Sequence, residues 1–217
     1  MSWLAIETSS GCVSLALGEQ SRCLREVSQN GNASILMEPL FRKLDADFKK
    51  IDRCVISRGP GSYNGLRVGY AFLKGLLCFE PAPVIQVGTP LILAAKAMDE
   101  LKKKDGSALV LHDARRGEIH AAWIAVREGL PRQEWERVGK ENEIRGQFSD
   151  GLDAIVSHDF SAADLPGFHA KHWLKLFPSA SMAGRIAHRL NLPATSNLSS
   201  LEPLYVRGLA TSGAPSL

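Results

Sequence analysis

No CxxC pair occurs among the four cysteines, and Cys12, Cys54 and Cys78 sit in apolar, strand- or helix-like surroundings where small buried hydrophobes are expected. Nothing in their spacing organises the fold. Long apolar runs are also missing, since none reaches the length needed to cross a bilayer. The first strand-like run, WLAIE, begins at Trp3, so no leader peptide is expected and a reducing, cytoplasmic setting follows. The sequons at Asn32 and Asn197 are then chance matches. Charge of one sign is scarce, with a net charge of +3. Such a balance permits a nucleic-acid partner without pointing to one, because a dedicated binder clusters Lys and Arg far more strongly.

Catalytic and metal motifs are equally sparse. The loop GPGSYNGLR lacks the GK[ST] of a P-loop and the spacing of a dinucleotide fold. Ser62 is not centred in a GxSxG elbow, which argues against a hydrolase nucleophile. His169 and His172 form an HxxH pair with no acidic or cysteine partner nearby. His112 and His120 fall in strand hairpins, while His158 and His188 stand alone. None pairs at helical i, i+4 spacing, so each is taken as a surface or structural histidine, with no metal ligand and no catalytic residue assigned. The basic spots at 102–104, 115–116 and in HAKHWLK are expected to be solvated faces, able at most to brush an RNA backbone held mainly by a partner.

What is present fits a folded chain. At 217 residues, 45% apolar and 23% charged, it can bury a real core as one domain or two lobes. Strands are expected at 3–7, 13–19 and 22–28, a helix at 33–48, and a buried strand at 53–57. The Gly-Pro-Gly loop then opens a helix running to about Phe79. Strand PVIQV follows, then a helix from Pro90 to Lys104 with Thr89 as its N-cap. After Gly106 the pattern begins again: Glu7 and Asp113, and Gly11 and Gly117, lie 106 positions apart. Strands are expected at 132–138 and 152–157 and a helix at 179–190, with 140–180 otherwise unassigned. The expected division is an N-terminal lobe, 1–105, ordered β-β-β-α-β-α, and a smaller, less regular C-terminal lobe, 107–217, whose last segment is able to pack back on the first.

Two features carry candidate function. An acidic residue at a strand end before a tight polar turn can position a metal-bound water while turn amides face a phosphate. Ordinary hairpin turns explain the same residues. Likewise, the start of the helix after Gly59-Pro60-Gly61, with Ser62 as N-cap, can accept an anion or simply be a tight strand-to-helix turn. The second feature is that helix itself: from Leu66 to Phe79 only Arg67 and Lys74 are charged. Gly65, Gly69, Ala71 and Gly75 allow another backbone to approach, and the helix at 33–48 carries its own apolar row. The pair is either a docking surface for another protein or buried against each other.

The segments LAIETSSGCVSLAL, SRGPGSYNGLRVGYAFLKGL, LHDARRGEIHAAW and the tail PLYVRG occur in the order and spacing of the TsaB (YeaZ) family, which this chain resembles. The likeness covers most of residues 3–127 and the C-terminal motif. It implies an α/β, actin-like ATPase (ASKHA, ribonuclease H-like) fold with two duplicated lobes. It further implies a non-catalytic partner of the paralogue TsaD in making threonylcarbamoyladenosine at position 37 of tRNAs that read ANN codons. TsaD would hold the metal and nucleotide, the ATPase TsaE would complete the assembly, and tRNA would be met indirectly. Alone the chain would be a homodimer; it would need no cofactor in isolation, with ATP or ADP possible at the complex junction.

On that resemblance the docking residues are Met37, Leu40, Phe41, Leu44, Leu66, Gly69, Tyr70, Leu73 and Leu77. Degenerate phosphate contacts would be Glu7, Thr8, Ser9, Gly59, Gly61, Ser62, Asp113 and Arg115. Departures from the family pattern weigh against independent ATP hydrolysis: Glu7 replaces an Asp, Arg115 and Arg116 put bulky cations in the second turn, Asn32 stands for a His and Asn64 for a Thr. The alternatives are an active ATP-dependent kinase or ATPase of this fold using Glu7 and Asp113, or a metallopeptidase.

Overall fold

Leu4 and Ile6 face the same core as Leu15 and Val13 because β1 (Ser2–Glu7) and β2 (Cys12–Glu19) pair antiparallel, with Leu4 opposite Leu17 and Ile6 opposite Leu15. The computed structural model describes residues 1–147 and 151–205, so the tail motif PLYVRG lies outside the described residues beyond Tyr205. β3 (Arg22–Asn30) extends the sheet on its polar side and buries only Val27. Its charged exposed residues suit an edge strand.

Asn32 opens α1 (Ala33–Leu44) by accepting the Ser34 amide on its side chain at 3.0 Å. The helix stops at Leu44, short of the expected Phe48, because Asp45 turns left-handed (φ 55°) and donates its amide to the Arg42 carbonyl. Phe48 belongs to a separate 3-10 turn, Phe48–Lys50. β4 (Arg53–Gly59) then pairs parallel to β1, with Ile6 opposite Ile56. α2 (Tyr63–Phe79) follows, capped by Ser62, whose hydroxyl accepts the Gly65 amide at 3.2 Å. β5 (Val84–Gly88) lies parallel to β4. α3 (Thr89–Glu100) includes Thr89 rather than being capped by it: the Thr89 hydroxyl is buried with no hydrogen-bond partner among the described residues.

The second sheet repeats the first. β6 (Gly106–Arg115), β7 (Glu118–Arg127) and β8 (Leu130–Gly139) form an antiparallel meander. After the short α4 (Glu141–Arg145), β9 (Ala154–Ser157) pairs parallel to β6 and β10 (His172–Lys175) parallel to β9. Its order, β10-β9-β6-β7-β8, matches β5-β4-β1-β2-β3 strand for strand. The strand expected at 152–157 is β9, and the rest of the stretch 140–180, unassigned in the sequence, holds α4 and β10.

Chain order and folded units part company at the end. One unit comprises Met1–Ile92 with Phe177–Pro203, the other Leu93–Leu176 with the chain from Leu204. The expected lobe 107–217 therefore gives up residues 177–203, and the cause is specific. α5 (Ala180–Arg189) packs on the first sheet, where the indole of Trp3 fills the space beside Gly184: a Cβ there would meet the ring at 2.4 Å. Its N-terminus is pinned by Ala180 N donating to Ser14 Oγ at 2.8 Å and Ser181 N to Glu26 Oε1 at 2.9 Å. β11 (Ala194–Thr195) then adds antiparallel to β5. Among the described residues, no helix is long and apolar enough to cross a membrane.

Candidate functional site

The turn between β1 and β2 carries Glu7, Thr8 and Ser9, and all three are fully buried. Glycines of the next element make this possible. A Cβ on Gly61 would lie 2.0 Å from the Ser9 carbonyl oxygen, one on Gly65 would lie 2.1 Å from that of Thr8, and one on Gly69 2.4 Å from Thr8 Oγ1. The start of α2 is laid directly on the turn, and Ser62 donates its amide to the Ser9 carbonyl at 2.7 Å. Gly59, in the left-handed region at φ 101°, takes the bend that brings the loop there. Ser9 N is spent on Glu7 Oε1 at 2.5 Å.

Glu7, Thr8 and Ser9 therefore offer no open surface, and the backbone groups suggested as a phosphate cradle are used by the chain itself. Gly61 and Ser62 remain exposed, Gly59 is buried. Burial pushes the Glu7 carboxyl up to about 7, against the opposing pull of the Ser9 bond. Among the described residues Glu7 Oε2 has no hydrogen-bond partner.

The second turn is built otherwise. Asp113 folds its carboxylate onto its own loop, accepting Arg115 N at 2.7 Å and the Arg115 guanidinium at 3.1 Å. Arg115, Arg116 and Gly117 all take positive φ (68°, 58° and 74°). Arg115 is exposed, as expected of a cation unable to line a close backbone cradle.

Behind this turn the structure assembles histidines that the sequence left apart. His112 sits two residues beyond Val110 on β6, and His158 two beyond Val156, to which Val110 is paired across the parallel strands. Their rings are 5.1 Å apart between centroids, and His112 lies 5.8 Å from His120. His120 Nε2 meets Glu136 Oε1 at 2.5 Å. Asp159 Oδ2 accepts the Asp113 amide at 3.0 Å and lies 3.8 Å from His112 Nδ1, while Asp159 Oδ1 is 3.3 Å from His158 Nε2. Burial pulls His112 down to about 4, although Asp159 pulls the other way, so its imidazole is neutral at physiological pH. The one signal available in the sequence was two histidines each falling at the C-terminal end of an expected strand, where open α/β sheets build their sites.

The helix residues divide differently from expectation. Met37, Leu40, Leu44, Leu66, Tyr70, Leu73 and Leu77 are buried in the first unit's own core, and Gly69 abuts Thr8. They are unavailable to a partner because α1 and α2 lie side by side. Phe41 is half-buried, its ring 5.3 Å from that of Phe72 in an edge-on pair. The open apolar surface lies elsewhere on the same helices: Phe79 is 86% exposed, Ile35 69% and Tyr63 55%. Ala71 and Gly75 lie exposed along α2 between Tyr63 and Phe79, with no heavy atom of the described residues within 4 Å of a Cβ placed on Gly75.

Comparison with known proteins places this geometry. The profile described as TsaD, tRNA N6-adenosine threonylcarbamoyltransferase, matches residues 28–128. The curated tRNA threonylcarbamoyladenosine biosynthesis protein TsaB of Bacillus subtilis (strain 168) is 30% identical over 139 residues, 61% of this chain and 59% of that protein. The TsaB of Escherichia coli (strain K12) is 30% identical over 128 residues, 55% of this chain and 53% of that one. The chain is thus similar to proteins named TsaB, and through them to YeaZ. It spans between about half and three fifths of the length of the curated relatives it matches. A solved YeaZ from Pseudomonas aeruginosa superposes with a TM-score of 0.81 at 21% identity, covering 94% of this chain and 99% of that one. A second structure from that organism, of an uncharacterized protein with similarity to peptidase YeaZ, gives 0.83 at 21% identity over 95% and 99%. The chain shares the α/β fold of these two structures, with one strand order repeated in two sheets.

Proposed function

We propose that this chain is a non-catalytic subunit that supports threonylcarbamoyl transfer to adenosine 37 of tRNAs reading ANN codons, by binding TsaD and, with it, TsaE. The observation that carries the non-catalytic part is the filled first turn: Thr8 and Ser9 are fully buried, and the Ser9 carbonyl and amide are taken by Ser62 and Glu7. A phosphate held there would have to displace α2, whose buried side anchors the core. The chain accordingly binds no nucleotide by itself, works in the cytoplasm and meets tRNA through its partner. ATP or ADP would sit at the junction of the complex.

The docking surface we assign is the outer side of α1 and α2, around Ile35, Ala71, Gly75 and Phe79, in place of the buried row. Large apolar groups beside small ones present both contact area and room for a second backbone. Without TsaD the same surface pairs two copies of the chain. Ala71→Glu tests this, since Ala71 is exposed and Glu is a good helix former. The variant is expected to keep its melting temperature and lose co-elution with the cognate TsaD in size-exclusion chromatography; unchanged co-elution would refute the surface. Reconstitution with TsaC, TsaD, TsaE and tRNA should give modified adenosine, scored by mass spectrometry, only when this chain is added. Calorimetric binding of Mg-ATP by the isolated chain would overturn the non-catalytic assignment and favour an active ATPase.

A further inference from the structure

At the C-terminal ends of two adjacent parallel strands, β6 and β9, His112, His158 and Asp159 point their donor atoms at one another, all within 4.8 Å. The separation of 3.8 Å from His112 Nδ1 to Asp159 Oδ2 is too long for a hydrogen bond, and among the described residues neither ring nitrogen of His112, both buried, has a partner within hydrogen-bond distance, while His158 Nε2 stands 3.3 Å from Asp159 Oδ1. A buried imidazole without partners on either nitrogen is expensive, and native proteins rarely leave one so. Ligands held at about 2.1 Å around a tetrahedral ion stand roughly 3.4 Å from each other, which is the scale seen here.

The corresponding positions of the first sheet sharpen the point. By the repeat, His112 stands where Ile6 does and His158 where Ile56 does, and that isoleucine pair is fully buried in the first unit's core. The fold therefore accepts plain hydrocarbon at these places. Imidazoles in the second copy need a reason other than packing.

We propose that His112, His158 and Asp159 form a three-ligand site for a borderline divalent cation of the zinc class, independent of the docking role. Two imidazoles and one carboxylate are the donor set such ions take, and three protein ligands leave a position for water or an outside oxygen. Asp159, its side chain 30% exposed, forms the mouth through which the ion enters. Its carboxylate is oriented by the Asp113 amide, and its own amide donates to Ser157 Oγ at 3.0 Å, which fixes the loop that carries it and His158. The site is assembled by strand register and a loop turn that are already in place.

The test uses the full-length, tag-free chain, stripped with a chelator and titrated with Zn²⁺ by calorimetry and with Co²⁺ by visible absorption. One ion per chain is expected, with d–d bands of a low-coordinate nitrogen-oxygen site for Co²⁺. Asp159→Asn and His158→Gln should each weaken binding by about 100-fold while leaving the circular dichroism unchanged. Replacing His169 and His172 together should alter nothing. Absence of stoichiometric binding, or binding that survives in the Asp159→Asn, His158→Gln double variant with unchanged affinity, overturns the proposal. Should His112→Ala fail to fold, the two loop variants decide the matter alone.

Discussion

The molecule contains one hairpin twice, and the two copies have been put to opposite uses. At the β1–β2 turn an acidic residue, Glu7, is buried outright and the neighbouring helix α2 occupies the space in front of it. At the β6–β7 turn the acidic residue, Asp113, stays partly exposed and is held by its own loop, and among the described residues β9 runs on to β10 with no helix between them. Below the first turn lie Ile6 and Ile56, below the second His112 and His158. One end has become hydrophobic core with a buried acid left over; the other remains a polar, accessible strand end. A duplicated unit therefore need not keep the same surroundings in both copies, and the difference is legible from what is packed over each turn.

The sharpest way to break this contrast is to make α2 unable to sit on the first turn. Gly61→Ala puts a methyl group 2.0 Å from the Ser9 carbonyl oxygen, a backbone atom that cannot swing aside. Loss of about 3 kcal/mol or more is expected, read from urea unfolding. Gly11→Ala, in the same turn but with nothing within 4 Å of its Cβ, is the control and should stay within about 0.5 kcal/mol of the parent. Equal behaviour of the two would mean that α2 does not close the turn.

The buried acid gives the next effect. Glu7 titrates near 7 in the folded chain, against 4.5 as its ordinary value. Between those two pH values the folded state keeps a proton that the unfolded state has lost, so stability falls as pH rises through that window. The loss approaches about 3 kcal/mol once both states are ionised. Glu7→Gln retains an oxygen for the Ser9 amide and removes the titration. Its stability should match the parent's near pH 4 and exceed it near pH 8, the difference growing by the amount just given. Parallel pH profiles for the two proteins would show that Glu7 is ionised at no cost.

How far the sequence carries these conclusions depends on the kind of contact. Residues that act through periodicity were legible: the strands around Leu4, Ile6, Val13 and Leu15, the capped helix after Ser62, and the repeat that sets Asp113 over Glu7. Residues that act through contact across the chain were not. Gly61, Gly65 and Gly69 announce that another backbone comes close, but only the structure says that it belongs to Thr8 and Ser9 of the same chain rather than to a partner. That is why the row from Met37 to Leu77 looked like a docking face and is core. His112 and His158 are 46 residues apart, and parallel register, which no local pattern encodes, makes them neighbours. The helix at 180–189 was legible as a helix, but its attachment to the first sheet depends on Trp3 finding Gly184.

The smallest expected effect concerns the turn that stayed open. Arg116 and Gly117 form a two-residue loop between the paired Arg115 and Glu118, with both φ values positive (58° and 74°). That geometry is the hairpin turn that favours Asn-Gly, because an arginine there suffers contact between Cβ and its own carbonyl. The first turn carries no positive φ among residues 7–12, so it has no strain of this kind to relieve. Arg116→Asn should therefore stabilise the chain by roughly 0.5 to 1 kcal/mol, a rise in melting temperature of about 2 °C for a protein of this size. Differential scanning fluorimetry on parent and variant measures it. A fall instead of a rise would mean that the Arg116 side chain makes a contribution worth more than the backbone strain it imposes, and that the open turn is held by more than its own loop.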